Sequence, residues 1–291
     1  MFSVILPVYN GARYVDDAIS SVFGQSERDW ELIVVNDGST DNTDEVLKKY
    51  RGSIRVKYIK QENRGAAEAK GEYLTFLDAD DVWHWNHLSV MRELTEKYPD
   101  AGLYGSFTKT KLVNGNVIDS CRFFETHAET VYLEDFFEEY RKDKSAKMFT
   151  VITTCISKKA FEKAGGFPEG CRIGEDLELS LRAAAYFPVV LTSRITATYN
   201  KENSEATKHN SFDPDWGFFE GVNELYADPV IPEKKKENIK AVMRWFTMRR
   251  CRHYIINGEK EKALAHFSEI GGGKAPAESL TRRCSIIFPM Q

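Results

Sequence analysis

The chain has 291 residues, 42% hydrophobic and 29% charged, which excludes a disordered or fibrous protein and suffices for one large domain or two modest ones. Its net charge of −4 hides an asymmetry: residues 231–291 carry 13 Lys+Arg against 6 Asp+Glu, and residues 1–230 carry 27 against 38. An acidic body repels phosphate backbones, so no nucleic-acid partner is expected for it.

The opening MFSVILPVYN has no basic stretch and carries a proline, so Phe2–Val8 is expected to be a strand and not a leader. Arg13–Gln25 has helical spacing (Tyr14, Ala18, Ile19, Val22, Phe23). Glu31–Val35 is a second buried strand, followed by the turn-rich NDGSTDNTD and a helix to Tyr50. Ile54–Ile59 alternates as a third strand, and Tyr73–Leu77 is a fourth, ending directly in Asp78. Asn86–Tyr98 is helical and stops before Pro99. This β-α-β-α-β order calls for right-handed crossovers and a mostly parallel sheet with helices on both faces.

Past residue 100 the rhythm changes. Leu103–Val113 and Val117–Phe124 flank Asn114-Gly115, a two-residue hairpin signal. Leu133–Lys142 and Lys158–Ala164 read as helices, the second stopped by Gly165-Gly166. Glu175–Tyr186 is a helix and Val189–Tyr199 a strand, and the remainder is helical over Trp216–Tyr226, Glu233–Ile256 and Glu259–Glu269. The expected organisation is an α/β domain over 1–205, with halves 1–100 and 101–205, and a helical extension over 206–291. Five cysteines (Cys121, Cys155, Cys171, Cys251, Cys284) are widely spaced with no CxxC, which argues against a disulfide framework or zinc cage and fits a reducing cytoplasm. No apolar run approaches the ~18 residues of a membrane span; the best, Met148–Ile156, is broken by threonines.

Ligands of open α/β sheets sit beyond the carboxyl ends of the strands. Acids fall at two such ends: Asp37 after the second strand, and Asp78, Asp80 and Asp81 after the fourth. A single Asp there is commonly a helix cap. Three carboxylates within four residues repel one another unless a cation or several donors neutralise them, so DADD reads as a metal- or phosphate-linked cluster.

Three blocks, PVYNGARYVDDAISSVFGQSERDWELIVVNDGSTDNT, GEYLTFLDADDVW and GGFPEGCRIGEDLELSLR, together resemble the signatures of family 2 glycosyltransferases, in the same order and over about residues 1–200. The resemblance implies a GT-A fold, a Rossmann-like, mostly parallel sheet flanked by helices. It also implies an inverting transferase moving a sugar from a nucleoside diphosphate sugar, a UDP-sugar first of all, to an acceptor hydroxyl in surface polysaccharide or lipid-linked glycan synthesis. Carried over residue by residue, it puts Pro7, Tyr9, Asn10, Asp37, Asn63, Gly65, Asp78 and Asp80 around the nucleotide-sugar, with Asp37 on the base. Asp80 and Asp81 become ligands of Mn²⁺ or Mg²⁺. Asp176 becomes the catalytic base, and Gly166, Phe167 and Glu175 fall on the acceptor side. The chemistry agrees with these roles. A divalent cation stabilises the charge left on the pyrophosphate, and a positioned carboxylate deprotonating a hydroxyl typically gives ~10²–10⁴-fold. Glu175-Asp176 also fits plain capping of the helix that follows.

The family usually has a longer segment where this chain reads QENRGAAEAKGEY, which keeps a non-catalytic nucleotide-sugar-binding protein as an alternative. A sugar nucleotidyltransferase is a further one, disfavoured because Asn10-Gly11-Ala12-Arg13 stands where a GxGxR-type loop would be. Where the family shows Tyr-Arg-x-His, this chain has Tyr199-Asn200-Lys201-Glu202, with Glu202 a substitute oxygen ligand. His84 and His87 lack further zinc ligands and read as surface histidines. Trp83 and Trp85 fit sugar stacking or core packing, and Gly271-Gly272-Gly273-Lys274 lacks the spacing of a phosphate loop. The segment Lys234–Asn257 interleaves eight Lys+Arg and one acid with Ile239, Val242, Met243, Trp245, Phe246, Met248 and Ile255. Two readings follow: peripheral contact with the inner face of a membrane, or docking of the apolar side on the catalytic domain. The expected location is the cytoplasm.

Overall fold

The computed structural model describes residues 1–60, 66–112, 114–118, 122–142, 150–168, 174–201 and 219–269. Its centre is a sheet ordered β3-β2-β1-β4-β9-β6-β10-β5, with β7 on β6 and β8 on β10. These strands are β1 (Phe2–Val8), β2 (Trp30–Asn36), β3 (Val56–Ile59), β4 (Tyr73–Phe76), β5 (Val82–Trp83), β6 (Leu103–Lys111), β7 (Val117–Ile118), β8 (Thr130–Leu133), β9 (Thr154–Ser157) and β10 (Val189–Asn200). β1 pairs in parallel with β2 and β4, β2 with β3, and β6 with β10. β9 runs antiparallel to both β4 and β6, so it restores the common direction across the middle of the sheet. The carboxyl ends of β1, β2, β4, β6 and β10 therefore share one edge.

Apolar periodicity explains the first helices. α1 (Val15–Phe23) buries Val15, Ala18, Ile19 and Val22 against β1 and β2, and α3 (His87–Lys97) buries Leu88, Met91 and Leu94. α2 (Thr43–Leu47) passes into a 3₁₀ turn, Lys48–Tyr50. α4 (Phe136–Lys142) starts later than expected, because Thr130–Leu133 pairs with β10 and Asp135 then caps the helix, accepting from Phe137 N at 3.0 Å and Glu138 N at 3.2 Å.

Three expectations need correction. The second hairpin strand is described over Val117–Ile118, residues 119–121 lie outside the described residues, and Arg122–Glu125, expected to continue the strand, is a 3₁₀ turn. The rings of Phe123 and Phe124 pack edge-on against each other at 5.2 Å, whereas neighbours in a strand would face opposite sides. β9 emerges from the threonine-broken run that had no assigned element. His87 is no surface histidine: it is fully buried, stacked on Trp83 at 4.1 Å, with Nδ1 2.8 Å from Thr196 Oγ1, and burial drives its pKa down to about 3. Trp83 is core as well, its Nε1 donating to Ile152 O at 2.7 Å, whereas Trp85 is exposed.

α5 (Lys158–Lys163), α6 (Glu175–Tyr186), α7 (Phe219–Glu224), α8 (Glu233–Ile256) and α9 (Lys260–Glu269) complete the described elements. The start of the expected helix at Trp216 lies outside the described residues, as do Cys121, Cys171, Cys284 and Gly271–Lys274. α8 settles its apolar residues inward: Ile239, Val242, Met243 and Phe246 join the cluster that holds Phe136, Tyr140 and Leu181. Burying each such side chain is worth roughly 1.5–3 kcal/mol, against about 1 kcal/mol per cation at an anionic surface, so docking wins. Lys236 and Arg250 are buried with it.

Candidate active site

β1 and β2 end in register, Pro7 beside Val35 and Val8 beside Asn36. Pro7 has no N–H to give, and it lies past the last β1–β4 pair, Ile5–Phe76, where none is needed. Asp37 N donates to Val8 O at 3.0 Å, leaving the Asp37 side chain exposed beside exposed Tyr9 and Pro7. Asn10 adopts φ 48°, rare for a side chain other than glycine. Its Oδ1 accepts from Thr40 N at 2.8 Å and Asp41 N at 3.3 Å, and its own N–H donates to Ser39 Oγ at 2.9 Å. Asn10 thus laces the loop after β1 to the loop after β2. Gly11 completes the lacing through Thr43 Oγ1 at 3.0 Å, and a Cβ there would lie 2.6 Å from Val8.

Beneath this edge is a polar network that the sequence reading missed. Asn36, fully buried at the end of an apolar strand, donates to Asp44 Oδ1 at 2.9 Å and to the Tyr58 hydroxyl at 3.1 Å, and accepts from Ser39 N at 3.0 Å. Tyr58 OH also donates to Asp44, and Lys60 does so at 2.9 Å. These bonds, that from Tyr58 first, hold the Asp44 carboxyl down to about 2. A lone Asn closing an apolar run was the available signal.

The chain leaves β4 through Leu77 N, which donates to Ile5 O at 3.0 Å, and turns at once, with Asp81 N on Asp78 O at 3.1 Å. Carboxylate oxygens of Asp78, Asp80 and Asp81 fall within 4.8 Å of one another, the first two residues half-buried and Asp81 buried. Burial, then Asp80, Asp176 and Glu175, push the Asp78 carboxyl up to about 7; burial foremost pushes Asp81 up to about 8 and also raises Asp80. Asp81 Oδ1 accepts from Asn200 N at 2.7 Å, while Oδ2 is buried with no hydrogen-bond partner among the described residues. Asn200 Nδ2 donates to Asp80 O at 2.9 Å, so the end of β10 closes on the acidic turn. Crowded carboxylates, one of them with an orphaned buried oxygen, are a donor set that suits a hard divalent cation.

α6 brings the second pair of acids to the same place. Gly174, at φ 88°, starts the helix, and Asp176 Oδ1 accepts from Leu177 N at 2.7 Å. Burial raises both Glu175 and Asp176, opposed by backbone N–H groups of the helix start. Asp176 lines a small cavity with Phe76, Phe167, Thr154 and Ser180. Phe167 packs edge-on against Phe76 at 5.1 Å, two residues before Asp78. Gly166, at φ 70°, ends α5 with its N–H on Phe161 O at 3.0 Å. The structure therefore gathers Asp78, Asp80, Asp81, Glu175, Asp176 and Phe167, with Pro7, Tyr9, Asn10 and Asp37 along the neighbouring strand ends. Asn63, Gly65 and Glu202 lie outside the described residues.

An acidic turn thus lies at the carboxyl edge of a mostly parallel sheet, faced by acids at a helix start. The family model for glycosyl transferase family 2 matches residues 3–165, and the chain belongs to that family. It is 28% identical over 243 residues to an uncharacterised glycosyltransferase of Rickettsia prowazekii, covering 75% of this chain and 71% of that protein. It is 26% identical over 280 residues to the poly(ribitol-phosphate) beta-N-acetylglucosaminyltransferase TarS of Staphylococcus aureus, covering 91% of this chain but only 43% of TarS. The structure of TarS 1–349 in complex with UDP-GlcNAc superposes with a TM-score of 0.75 at 18% identity, covering 98% of this chain and 86% of that one. A mannosyltransferase from Pyrobaculum calidifontis, in complex with GDP-Man and Mn²⁺, gives 0.62 at 17%, covering 100% and 81%. The fold is GT-A.

Proposed function

We propose that this chain is an inverting, divalent-cation-dependent glycosyltransferase that moves a sugar from a UDP-sugar to a hydroxyl of a surface-polysaccharide or lipid-linked acceptor. The observation that carries the reading is the meeting of the DADD turn with the acidic start of α6: Asp176 shares a small cavity with Phe76, two residues before Asp78, and the charges of Asp176 and Glu175 help to raise Asp78. UDP-GlcNAc in the TarS complex and Mn²⁺ in the mannosyltransferase complex support the donor class and the cation.

Asp80 and Asp81 would hold the cation, whose chemistry is to stabilise charge on the departing diphosphate. Asp37 and Tyr9, exposed at the ends of β2 and β1, offer an acceptor oxygen and a stacking ring to the base and ribose. Asp176 takes the proton of the acceptor hydroxyl; its raised carboxyl makes it a stronger base than an exposed aspartate. Attack from the face opposite the leaving group inverts the anomeric carbon. The setting we propose is the cytoplasm, with electrostatic contact of α8 at the inner membrane face, since Ile239, Val242, Met243 and Phe246 of that helix are already buried.

The test is release of UDP or GDP from a panel of UDP- and GDP-sugars by the purified chain, with Mn²⁺, Mg²⁺ or EDTA, and with polyol-phosphate and saccharide acceptors. Cation-dependent UDP release that rises with one acceptor is expected. Cation-dependent binding without turnover of any donor would leave a nucleotide-sugar binder in its place.

A further inference from the structure

Gly165 and Gly166 follow α5 with φ of 79° and 70°, a turn open to glycine and the most costly kind of backbone to hold still. Phe167, directly after it, forms the wall between Phe76 and Asp176. Something must fix that turn. Arg182, on the same helix as Asp176, donates from Nη2 to the carbonyl oxygen of Gly166. Its Nε lies 3.8 Å from Oε1 of Glu178, one turn back on α6, a carboxylate only 3% exposed. A buried carboxylate needs a cation, and Glu four residues before Arg is the favourable order on a helix. α7 lies over this pair: a Cβ on Gly221 would sit 2.0 Å from Glu178 Oε1 and 3.2 Å from Arg182 Cδ. The glycine lets the C-terminal region press directly on the two side chains.

We propose that Arg182, held by Glu178 beneath α7, is a positioning residue that ties the Gly165-Gly166-Phe167 turn to the helix of Asp176, so that the C-terminal extension sets the acceptor wall of the site. The acceptor role of the wall rests on the transferase reading above; the tether itself does not. Arg182 meets the Gly166 carbonyl from Nη2, while its buried Nε faces the Glu178 carboxylate at ion-pair distance without a hydrogen bond among the described residues; a lysine would offer the two acceptors a single compact charge on a shorter reach.

Hydrogen exchange across Lys158–Pro168, compared in wild type, Arg182→Lys and Arg182→Ala, tests the tether. Loss of a charged hydrogen bond to the Gly166 carbonyl is expected to speed exchange of the turn about tenfold in both variants. A role confined to neutralising Glu178 would be met by lysine, so wild-type protection of the turn in Arg182→Lys overturns the proposal. Should Arg182→Ala fail to fold, Arg182→Lys decides alone. Calorimetry with UDP and Mn²⁺ then separates the two readings. Arg182→Lys should bind UDP within about twofold of wild type, and its transfer defect should fall on the acceptor KM and not the donor KM. A parallel loss of UDP affinity overturns the acceptor-side placement. A wild-type chain that binds no UDP removes the UDP-sugar reading while the exchange result still judges the tether.

Discussion

Asn200, the last residue of β10, holds the acidic turn from two directions: its backbone N–H meets Asp81 Oδ1 at 2.7 Å, and its side-chain amide meets the Asp80 carbonyl at 2.9 Å. The acidic turn, the cation site proposed above, is thus oriented by a residue 119 positions along the chain from Asp81. Outer partners of this kind commonly change cation affinity 10–100-fold. Asn200→Ala keeps the backbone bond and loses the amide. We expect Mn²⁺-dependent UDP affinity to fall about tenfold by calorimetry, with the fold intact by circular dichroism. An unchanged affinity would show that the turn holds its shape unaided.

Asp80→Ala removes a carboxylate from the cluster itself. Cation-dependent UDP binding should largely vanish, while the weak binding measured in EDTA stays at the wild-type level. Cation-dependent affinity that survives the substitution would move the ligand role to Asp78 and Asp81.

Asp176→Asn keeps the shape and the oxygen that accepts from Leu177 N. The amide cannot take a proton near neutral pH, so transfer should drop by about 10²–10⁴-fold with UDP affinity nearly unchanged. Turnover close to wild type would end the base assignment, and a collapse of UDP affinity would make Asp176 a donor-side residue.

The acidic turn also sets a pH dependence. Asp78 and Asp81 are pushed up to about 7 and about 8, chiefly by burial. The folded chain therefore keeps protons that the unfolded chain has lost by about pH 4, and these groups lower stability as pH rises from there toward 8. A cation must displace the same protons, so its affinity grows over the upper part of that window. The Tm increase on adding Mn²⁺ should be larger at about pH 8 than at about pH 6. Equal shifts would mean that the carboxyls are already ionised at the lower pH.

Contact of α8 with a membrane, if made through cations alone, is screened by salt. Sedimentation with vesicles rich in phosphatidylglycerol should be measurable at low ionic strength and lost at about 0.5 M salt. Retention at high salt would require Ile239, Val242 and Phe246 to leave the cluster they fill. Absence of binding at low salt would remove the membrane contact altogether.

Local signals in the chain decided much of this protein. Apolar periodicity and turn residues placed β1, β2, β4, α1, α3 and α6 within a few residues, because each is dictated by its own alternation and stops. The order of three short blocks identified the family, since an acidic turn at a strand end and acids at a helix start are encoded contiguously. Contacts between distant segments were not written that way. β9 is held by β4 and β6 on either side, so a threonine-rich run becomes a central strand only once those neighbours exist. His87 looks polar and exposed in the sequence, yet Trp83 and Thr196 enclose it. The amphipathic segment of α8 suits a lipid surface or a protein core equally well by pattern. Only the presence of Phe136 and Tyr140 on α4, ready to take its apolar side, decided between them. The same holds at the site: DADD is legible in one dimension, but Asn200 acts on it, and Asn36 and Arg182 act beside it, through individual hydrogen bonds that leave no periodic trace.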